Sequence, residues 1–398
     1  MAIDSISGRA DGGPPSPGEA ALAHSRDLLD VILGEIRGSG GEIGFDRYMQ
    51  MALYEPGLGY YSAGAEKLGE HGDFVTAPEV SPLFSASLAN QCAAVLEELG
   101  GGDIMEFGGG SGVMAADMLN TLGETGALPG RYAILEVSGD LRERQRKRVA
   151  SRAPDHVQRT TWLDSLPGPG FRGVVVANEV LDAMPVHCFR WGKTGIGERR
   201  VGIEEGLPAW RIANADPALH DFVEQIAESL GNPWDEGYDS EVNTALGHWL
   251  GALYRVIDTG VVLLIDYGYP RAEYYHPQRR MGTLICHYRH RAHEDPFFLP
   301  GLQDISANVD FSAVADAAVA AGFRIQGFTT QAQFLLGAGI AGFVERAGDD
   351  LERLRYAQQI KQLTLPGEMG DRFHVMALSK GVAGCISGFS LRDFRKRL

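Results

Sequence analysis

The residues whose types and spacing could do chemistry begin with an acidic side chain followed by three alternating glycines. From Asp103 the chain reads D-I-M-E-F-G-G-G-S-G, so a short apolar run ends at Glu106, and Gly108, Gly110 and Gly112 follow. Glycine is needed where backbone adopts a positive φ or comes close to a ligand. The dinucleotide fingerprint needs another glycine directly after Gly112, where a valine stands. The acid-glycine turn instead fits a ligand with a cationic amino-acid end, although many such turns bind nothing.

Polar side chains also follow the next three predicted strands. Glu136 ends the second strand, where an acid can accept hydrogen bonds from both hydroxyls of a ribose. Asp164 ends the third strand, where its side chain could meet the amino group of an adenine ring. Together with the glycine turn and Asn178 after the fourth strand, these residues predict S-adenosylmethionine as the ligand. The alternative for Glu136 is an acid that only caps a helix or faces solvent.

A second polar group, N-E-V-L-D, follows the same fourth strand. We expect Asn178, Glu179 and Asp182 to open a helix there. Glu179 and Asp182 are three residues apart, so on a helix they would share a face. Acids also favour a helix N-terminus for electrostatic reasons alone, which leaves a purely structural role open.

These candidates need strands that end at one edge of a sheet. Buried apolar runs predict the strands, and a helical spacing of apolar residues or a run of charges predicts the helices between them. After the glycine turn the predicted strands are 132–135, 160–163, 172–177, 261–265, 323–328 and 373–378, and predicted helices include 141–152, with a charged solvated face, and 312–321. This alternation predicts an α/β fold with a doubly wound, Rossmann-like sheet that binds ligands at the carboxyl ends of its strands.

Stretches outside the alternation set the predicted domain organisation. Residues 1–18 are rich in glycine and proline and are predicted to be disordered. Residues 19–100 are predicted to form a helical N-terminal region, with helices at 45–54 and 82–99. The predicted sheet core takes 101–186, 255–335 and 370–381, interrupted by an insertion at 187–254 and a helical insertion at 336–369.

Composition excludes several classes of protein. The 398 residues suffice for one large domain with insertions or for two domains. The net charge of −16 argues against a nucleic-acid partner, because binding to phosphates needs a basic surface. No run approaches the about 18 apolar residues of a membrane span, so no membrane insertion is expected. The first residues resemble neither a secretory signal nor a transit peptide, and the four cysteines are scattered, so we expect a cytoplasmic protein.

Three histidines raise the question of a metal site. His287, His290 and His293 are three residues apart in an arginine-rich stretch. Helical metal-binding pairs are four apart, as in H-E-x-x-H, and no cysteine accompanies these histidines. We therefore predict no metal. No nucleophile elbow is present at Gly110 to Gly112 either.

Eight stretches carry a resemblance to a known family. They are G-D-F-V-T-A-P-E-V-S-P-L-F (72–84), E-F-G-G-G-S-G (106–112), L-E-V-S-G-D-L-R-E-R-Q (135–145), V-A-N-E-V-L-D-A-M-P-V-H (176–187), L-I-D-Y-G-Y-P-R-A-E-Y-Y-H-P-Q-R (264–279), G-L-Q-D-I-S-A-N-V-D-F (301–311), F-T-T-Q-A-Q-F-L (328–335) and L-T-L-P-G-E-M-G (363–370). The chain resembles, from about residue 40 to 380, the MidA-like family of class I S-adenosylmethionine-dependent methyltransferases. It departs from the family pattern at Gly109, Ser306 and Asn308, where alanine, threonine and histidine are usual.

The resemblance implies a class I methyltransferase fold with S-adenosylmethionine as cofactor. The mitochondrial members of the family are arginine methyltransferases needed for respiratory complex I assembly, so the implied acceptor is a protein arginine, with a complex I subunit as one partner. A guanidinium is charged at ordinary pH, so carboxylates must orient it and take the proton that it loses. Glu79, Glu179 and Asp182 are the catalytic candidates, with Glu179 favoured by its place at a strand end. Asn178 could bind the amino-acid end of the cofactor or the acceptor.

Further acceptor contacts are expected in two places. Thr76 and Pro78 lie in the T-A-P-E loop, and Asp266 and Tyr267 follow the fifth strand, where Tyr267 could wall the methyl pocket. One alternative is a methyltransferase for a small molecule, a glutamine or a base, although the N-P-P-Y signature of amide and adenine methylases is absent. Another is an assembly or interaction protein without catalysis. A homodimer is a further hypothesis.

Overall fold

The computed structural model describes residues 17–63, 76–193, 195–231, 234–384 and 386–398. Within them the helices are α1 (Glu19–Gly38), α2 (Phe45–Tyr54), α3 (Ala77–Val80), α4 (Pro82–Leu99), α5 (Val113–Glu124), α6 (Gly139–Arg152), α7 (Pro217–Ser229), α8 (Leu246–Val256), α9 (Arg271–Tyr274), α10 (Phe311–Ala321), α11 (Gln331–Gly337), α12 (Gly342–Glu345) and α13 (Asp350–Thr364). The strands are β1 (Glu42–Gly44), β2 (Asp103–Phe107), β3 (Tyr132–Leu135), β4 (Thr160–Leu163), β5 (Phe171–Asn178), β6 (His187–Gly192), β7 (Gly195–Glu204), β8 (Leu207–Asn214), β9 (Tyr238–Val242), β10 (Ile257–Tyr269), β11 (Ile285–Tyr288), β12 (Arg291–His293), β13 (Asp304–Ser306), β14 (Val309–Asp310), β15 (Arg324–Thr330) and β16 (Phe373–Lys380).

The largest sheet is mostly parallel. Its strand order is β15-β16-β10-β5-β2-β3-β4, and β14 pairs with the end of β10. Strands β10, β5, β2, β3 and β4 run parallel to one another, whereas β16 is antiparallel to both β10 and β15. The chain moves outward from β2 through β3 to β4 and then returns to β5 on the other side of β2. Ligands of open α/β sheets bind at the carboxyl ends of the strands beside such a switch point. The predicted doubly wound α/β sheet is confirmed.

Helices α4 and α5 belong to the core of this sheet. Helix α4 begins at a cap, because the Ser81 side chain accepts the backbone N–H of Leu83, and it ends at Gly100 in the left-handed conformation. Its buried face includes Leu88 and Cys92, which join one apolar cluster with Val174 of β5. The charged helix α6 contributes little to that core, since only Gln145 and Val149 along it are buried.

The chain divides into two compact units. The first, which we call the parallel-sheet unit, contains the described residues of Val75–Asp182, Leu246–Arg271 and Val309–Leu398. The second, the antiparallel unit, takes its described residues from the chain up to residue 63, from Ala183–Ala245 and from Ala272–Asn308. In it β9, β6, β7 and β1 pair in that order with β8 beside β7, and β11 pairs with both β12 and β13.

The predicted domain ranges map onto these units as follows. Of the predicted N-terminal region 19–100, α1 and α2 lie in the antiparallel unit and α4 in the parallel-sheet unit. The range 187–254 contains β6 to β9, α7 and most of α8, and 336–369 contains α12 and α13. The disorder predicted for 1–18 falls outside the described residues, apart from residues 17 and 18. Among the helices of the described ranges, none combines the length and apolarity needed to cross a membrane.

Candidate functional site

The glycine turn after β2 has a backbone that other residues rarely adopt. The φ angle is 62° at Gly108, 50° at Gly110 and 84° at Gly112, all in the left-handed region that glycine enters without steric cost. At Gly112 space is limiting as well, because an added Cβ would lie 2.9 Å from the Cα of Gln145 on α6. The predicted turn between a buried strand and a helix is present, with α5 beginning at Val113.

Glu79 lies against this glycine turn. The Ser111 hydroxyl donates a hydrogen bond to Oε1 of Glu79. Glu79 is part of the short helix α3, where its N–H donates to the Thr76 carbonyl at 3.0 Å and its neighbour Pro78 is buried. The T-A-P-E loop therefore approaches the turn that sequence analysis predicts as a cofactor contact.

Glu106 at the end of β2 is enclosed by the protein. Its side chain is 1% exposed, and the Tyr132 hydroxyl donates to its Oε2 at 2.6 Å. Burial raises the pKa of Glu106 to about 7, with the Tyr132 hydrogen bond lowering it and the charge of Glu136 adding to the rise. The Tyr132 hydrogen bond engages one of the two carboxyl oxygens, so the cofactor contact predicted for Glu106 stays a prediction.

Glu136 ends β3 as predicted and is held in place on both oxygens. Its Oε1 accepts the backbone N–H of Ser138 at 2.9 Å, and its Oε2 accepts from Nε2 of Gln145 at 3.1 Å. Burial raises the pKa of Glu136, and these two hydrogen bonds act in the opposite direction. Each carboxylate oxygen has a second lone pair, so a further hydroxyl can still be bound.

Gln145 is a member of this arrangement that sequence analysis missed. It is fully buried on α6, and its amide contacts Gly110 and Trp162 in addition to Glu136. The charge run of α6 indicates a solvated helix, and most of its side chains are indeed exposed or half-buried. The available signal is that Gln145 and Val149 are uncharged and four residues apart, which places both on one helix face.

The prediction that a helix begins at Asn178 is wrong. Strand β5 runs through Asn178, and residues 179–184 form bends and turns before a proline. The turn is held by Asp266, whose Oδ2 accepts the N–H groups of Val180 at 3.1 Å, Leu181 at 2.8 Å and Asp182 at 3.3 Å. Pro185 has no N–H for the second turn of a helix that begins at Asn178 and disfavours helical backbone at Met184, so the segment stays a turn that the Asp266 carboxyl group holds.

Glu179 is held in a strained conformation at this point. Its φ is +54°, which non-glycine residues seldom adopt, while its N–H donates to the Ile265 carbonyl at 2.9 Å. Such strain costs on the order of 1–3 kcal/mol and persists where surrounding contacts enforce it. Here the neighbouring Asp266 bonds enforce it. The side-chain amide of Asn178 donates to Oε1 of Glu179 at 3.1 Å.

Asp266 was expected to contact the acceptor, and the structure gives it a different environment. Its side chain is 1% exposed, and its Oδ1 accepts the N–H of Tyr267 at 3.0 Å in addition to the three bonds at Oδ2. Burial, and then the charge of Glu179, raise the pKa of Asp266 to about 8, against the effect of the backbone donors. The carboxyl group therefore holds the turn that carries Glu179.

The remaining predicted residues differ in burial. Asp182 is 4% exposed and lies in the turn held by Asp266. Asp164 is exposed and accepts a hydrogen bond from Ser165 at 3.2 Å. Tyr267 is half-buried, with its ring edge-on to Phe373 at 4.6 Å between centroids.

One cluster in the antiparallel unit has the composition of a cation site. Asp46, His187 and Glu198 bring their ligand atoms within 4.8 Å of one another. Glu198 also accepts from Arg200 at 2.9 Å. Burial lowers the pKa of His187, but the hydrogen bond to Glu198 and the charge of Asp46 outweigh it and raise that pKa. The His187 hydrogen bond and the Arg200 guanidinium already engage these acids, so the cluster is explained as a hydrogen-bond and ion-pair network.

Comparison with known proteins identifies the family. The model of the family described as "Putative S-adenosyl-L-methionine-dependent methyltransferase" matches residues 87–329. The chain belongs to this family. A crystal structure from Burkholderia thailandensis bound to S-adenosyl-homocysteine is 43% identical, with a TM-score of 0.92 over 97% of this chain and 100% of that one. The relative named "Protein arginine methyltransferase NDUFAF7, mitochondrial" from Mus musculus is 29% identical over 88% of this chain and 84% of its own length. The homologue from Drosophila melanogaster is 26% identical over 86% of this chain and 83% of its own length.

The protein is thus an S-adenosyl-L-methionine-dependent methyltransferase, and its strand ends fit that cofactor. Asn178 Oδ1 is buried without a hydrogen-bond partner among the described residues, so a donor such as an ammonium group can satisfy it. The left-handed glycines leave backbone without side chains beside the strand end. The Glu136 carboxylate retains acceptor capacity for ribose hydroxyls.

Proposed function

We propose that this methyltransferase modifies an arginine side chain of a protein acceptor. The observation that carries the proposal is the concentration of carboxyl groups directly after β5 and near the end of β10. Glu179, Asp182 and Asp266 are brought together because three successive N–H groups bind the Asp266 carboxyl group. The charge of Glu179 contributes to the raised pKa of Asp266, so a cation bound beside these two residues would be electrostatically favoured.

A guanidinium group is the methyl acceptor that complements such a site. It is always charged near neutral pH and presents a planar fork of N–H donors that matches carboxylates. A neutral amide or hydroxyl would not gain in the same way from the negative charge of Glu179. The proposal agrees with the names of the similar proteins from Mus musculus and Drosophila melanogaster, which are called protein arginine methyltransferases.

We assign the proton-accepting role to Glu179. When bound, S-adenosyl-L-methionine supplies an electrophilic methyl group. The acceptor nitrogen loses a proton as it gains that methyl, and the Glu179 carboxylate takes the proton. The strained backbone and the Asn178 amide fix the direction of this carboxylate. Asp182, in the same turn, orients the guanidinium, and Tyr267 contributes an apolar wall beside Phe373.

Other predicted residues receive their proposed roles from their contacts. Glu79 bonds Ser111 of the glycine turn, which favours a role at the amino-acid end of the cofactor over proton transfer. We propose that Thr76 and Pro78 support the position of Glu79, because they lie in the same short segment and the Thr76 carbonyl accepts the Glu79 N–H. Glu136 binds the ribose hydroxyls, and exposed Asp164 remains the proposed contact of the adenine amino group.

The acceptor and the compartment are proposals as well. From the family resemblance, a subunit of respiratory complex I is the first protein to test. Cys92, Cys188 and Cys286 are free thiols, which supports a reducing compartment such as the cytoplasm. The homodimer also stays a hypothesis, and the molar mass measured by light scattering would test it.

The experiment is transfer of labelled methyl groups to proteins extracted from cells that lack this protein. Acid hydrolysis of the labelled bands should release methylated arginine. Labelled methylglutamine, or label only in small molecules, would contradict the arginine proposal while leaving the methyltransferase intact. No transfer to any fraction, with S-adenosyl-homocysteine still bound, would favour a non-catalytic assembly role.

A further inference from the structure

The Gln145 side chain joins the loops that follow β2 and β3 to strand β4. Its Nε2 donates to the Gly110 carbonyl at 3.1 Å and to Oε2 of Glu136 at 3.1 Å. Its Oε1 accepts the indole N–H of Trp162 at 2.9 Å. Gln145 itself is 0% exposed, so its amide depends on these protein partners for its hydrogen bonds. One buried amide thus touches the glycine turn, the ribose-binding acid and the strand beside them.

The partners fix the orientation of the amide. An indole N–H can only donate, whereas a backbone carbonyl and an ionised carboxylate can only accept. If the amide were turned over, its NH2 group would face the Trp162 donor and its oxygen would face two acceptors. Gln145 therefore has one satisfied orientation, and in that orientation both of its N–H groups point at cofactor-binding loops.

The backbone of Gln145 adds a steric constraint on the same turn. A Cβ at Gly112 would lie 2.9 Å from the Gln145 Cα. Helix α6 therefore packs directly on the glycine turn, and a small displacement of the helix would move Gly110 and Glu136 relative to each other. A buried amide that loses its partners is left desolvated and without hydrogen bonds, so the arrangement strongly favours this one spacing.

We propose that Gln145 is a positioning residue for S-adenosyl-L-methionine. It sets the distance between the glycine turn and Glu136, which bind different parts of the same molecule. Trp162 contributes by donating to the amide oxygen, which keeps the NH2 group of Gln145 directed at Gly110 and Glu136. The inference concerns the cofactor alone, so it does not depend on the acceptor being arginine.

The first test measures binding of S-adenosyl-homocysteine by titration calorimetry to Gln145→Met. Methionine keeps the length and volume of the side chain but removes both donors and the acceptor. Affinity should fall at least tenfold. Val149→Ala, one helical turn further along α6, is the control for a loosened helix, because Val149 is buried in the apolar core and its side chain cannot form hydrogen bonds. Its affinity should stay within threefold of the wild type after thermal melts confirm folding.

A double-mutant cycle separates positioning from general damage. In a Glu136→Ala background the acid that Gln145 orients is gone, so adding Gln145→Met should weaken binding by less than threefold. A merely structural role would produce the same tenfold loss in both backgrounds, and that result would overturn the proposal. Unchanged affinity in Gln145→Met alone would overturn it as well.

Trp162→Phe is the second variant, and it decides the question if Gln145→Met does not fold. Phenylalanine keeps an aromatic ring at β4 but removes the N–H that fixes the amide, together with the second ring of the indole. The expected result is a threefold to tenfold loss of S-adenosyl-homocysteine affinity. Wild-type affinity in the folded Trp162→Phe protein would contradict the orienting role.

Discussion

Replacing Glu106 by glutamine should make the protein more stable above neutral pH. The side chain is 1% exposed and accepts a hydrogen bond from the Tyr132 hydroxyl. Burial raises the pKa of this carboxyl group from 4.5 to about 7. The folded state therefore binds a proton that the unfolded state releases between these two values. The contribution of Glu106 to stability is complete below pH 4.5 and is lost as the pH rises through about 7.

The expected magnitude follows from the two pKa values. At about 1.4 kcal/mol per pKa unit, the difference between 4.5 and about 7 corresponds to about 3 kcal/mol. Glutamine has the same shape, and its amide oxygen can accept the Tyr132 hydrogen bond, but it does not ionise. The Glu106→Gln variant should therefore be close to the wild type at pH 5 and more stable by about 3 kcal/mol at pH 8. Asp266, whose pKa is raised to about 8, titrates in both proteins, so its contribution cancels in the stability difference between them.

The assay is urea unfolding at pH 5, 6, 7 and 8, with Glu143→Gln as the control. Glu143 is an exposed acid on α6 that pairs with Lys147 at 3.3 Å, and exposed pairs of this kind contribute little. The difference in unfolding free energy between Glu143→Gln and the wild type should not change with pH. If the Glu106→Gln difference is also independent of pH, or if the wild type is the more stable protein at pH 8, the burial argument is refuted.

Two further predictions concern cofactor binding. Glu136→Ala should lower S-adenosyl-homocysteine affinity at least tenfold in calorimetry, because it removes hydrogen bonds to a charged group worth roughly 1.5–3 kcal/mol each; Glu143→Ala on the exposed face of α6 is the matched control, and equal affinity for both would return Glu136 to a structural role. Gly110→Val should abolish binding while the melting transition persists, since valine is strongly disfavoured at the φ of 50° found there; a folded variant that binds normally would remove this turn from the site.

Much of the fold was accessible from sequence because local patterns and packing agree. The helices predicted at 45–54 and 82–99 have those bounds in α2 and α4, and the strands predicted at 132–135 and 160–163 are β3 and β4. Apolar periodicity, a capping serine and terminating glycines act locally, so they are visible along the chain. The glycine turn was predictable for the same reason.

The errors arose where a distant residue overrides the local pattern. N-E-V-L-D has helix-forming spacing, but Pro185 stops a helix there, and Asp266, far along the chain, binds its N–H groups and holds it as a turn. The role of Gln145 was not visible in the charged helix α6 because its partners, Gly110 and Trp162, lie elsewhere in the chain. Burial of Glu106 behind Tyr132 likewise depends on the pairing of β2 with β3.

The central claim is that Glu179 acts on a cationic acceptor at the end of β5. Its most direct test is single-turnover methyl transfer by Glu179→Gln, with saturating S-adenosyl-L-methionine and an arginine-containing acceptor found by labelling. Glutamine keeps the size and removes the charge, and Glu124→Gln at an exposed site on α5 is the matched control. Transfer should fall by about two to four decades, the range for a lost acid–base or positioning group, while S-adenosyl-homocysteine affinity and the control remain at wild-type values. Transfer by Glu179→Gln at the wild-type rate would contradict the account.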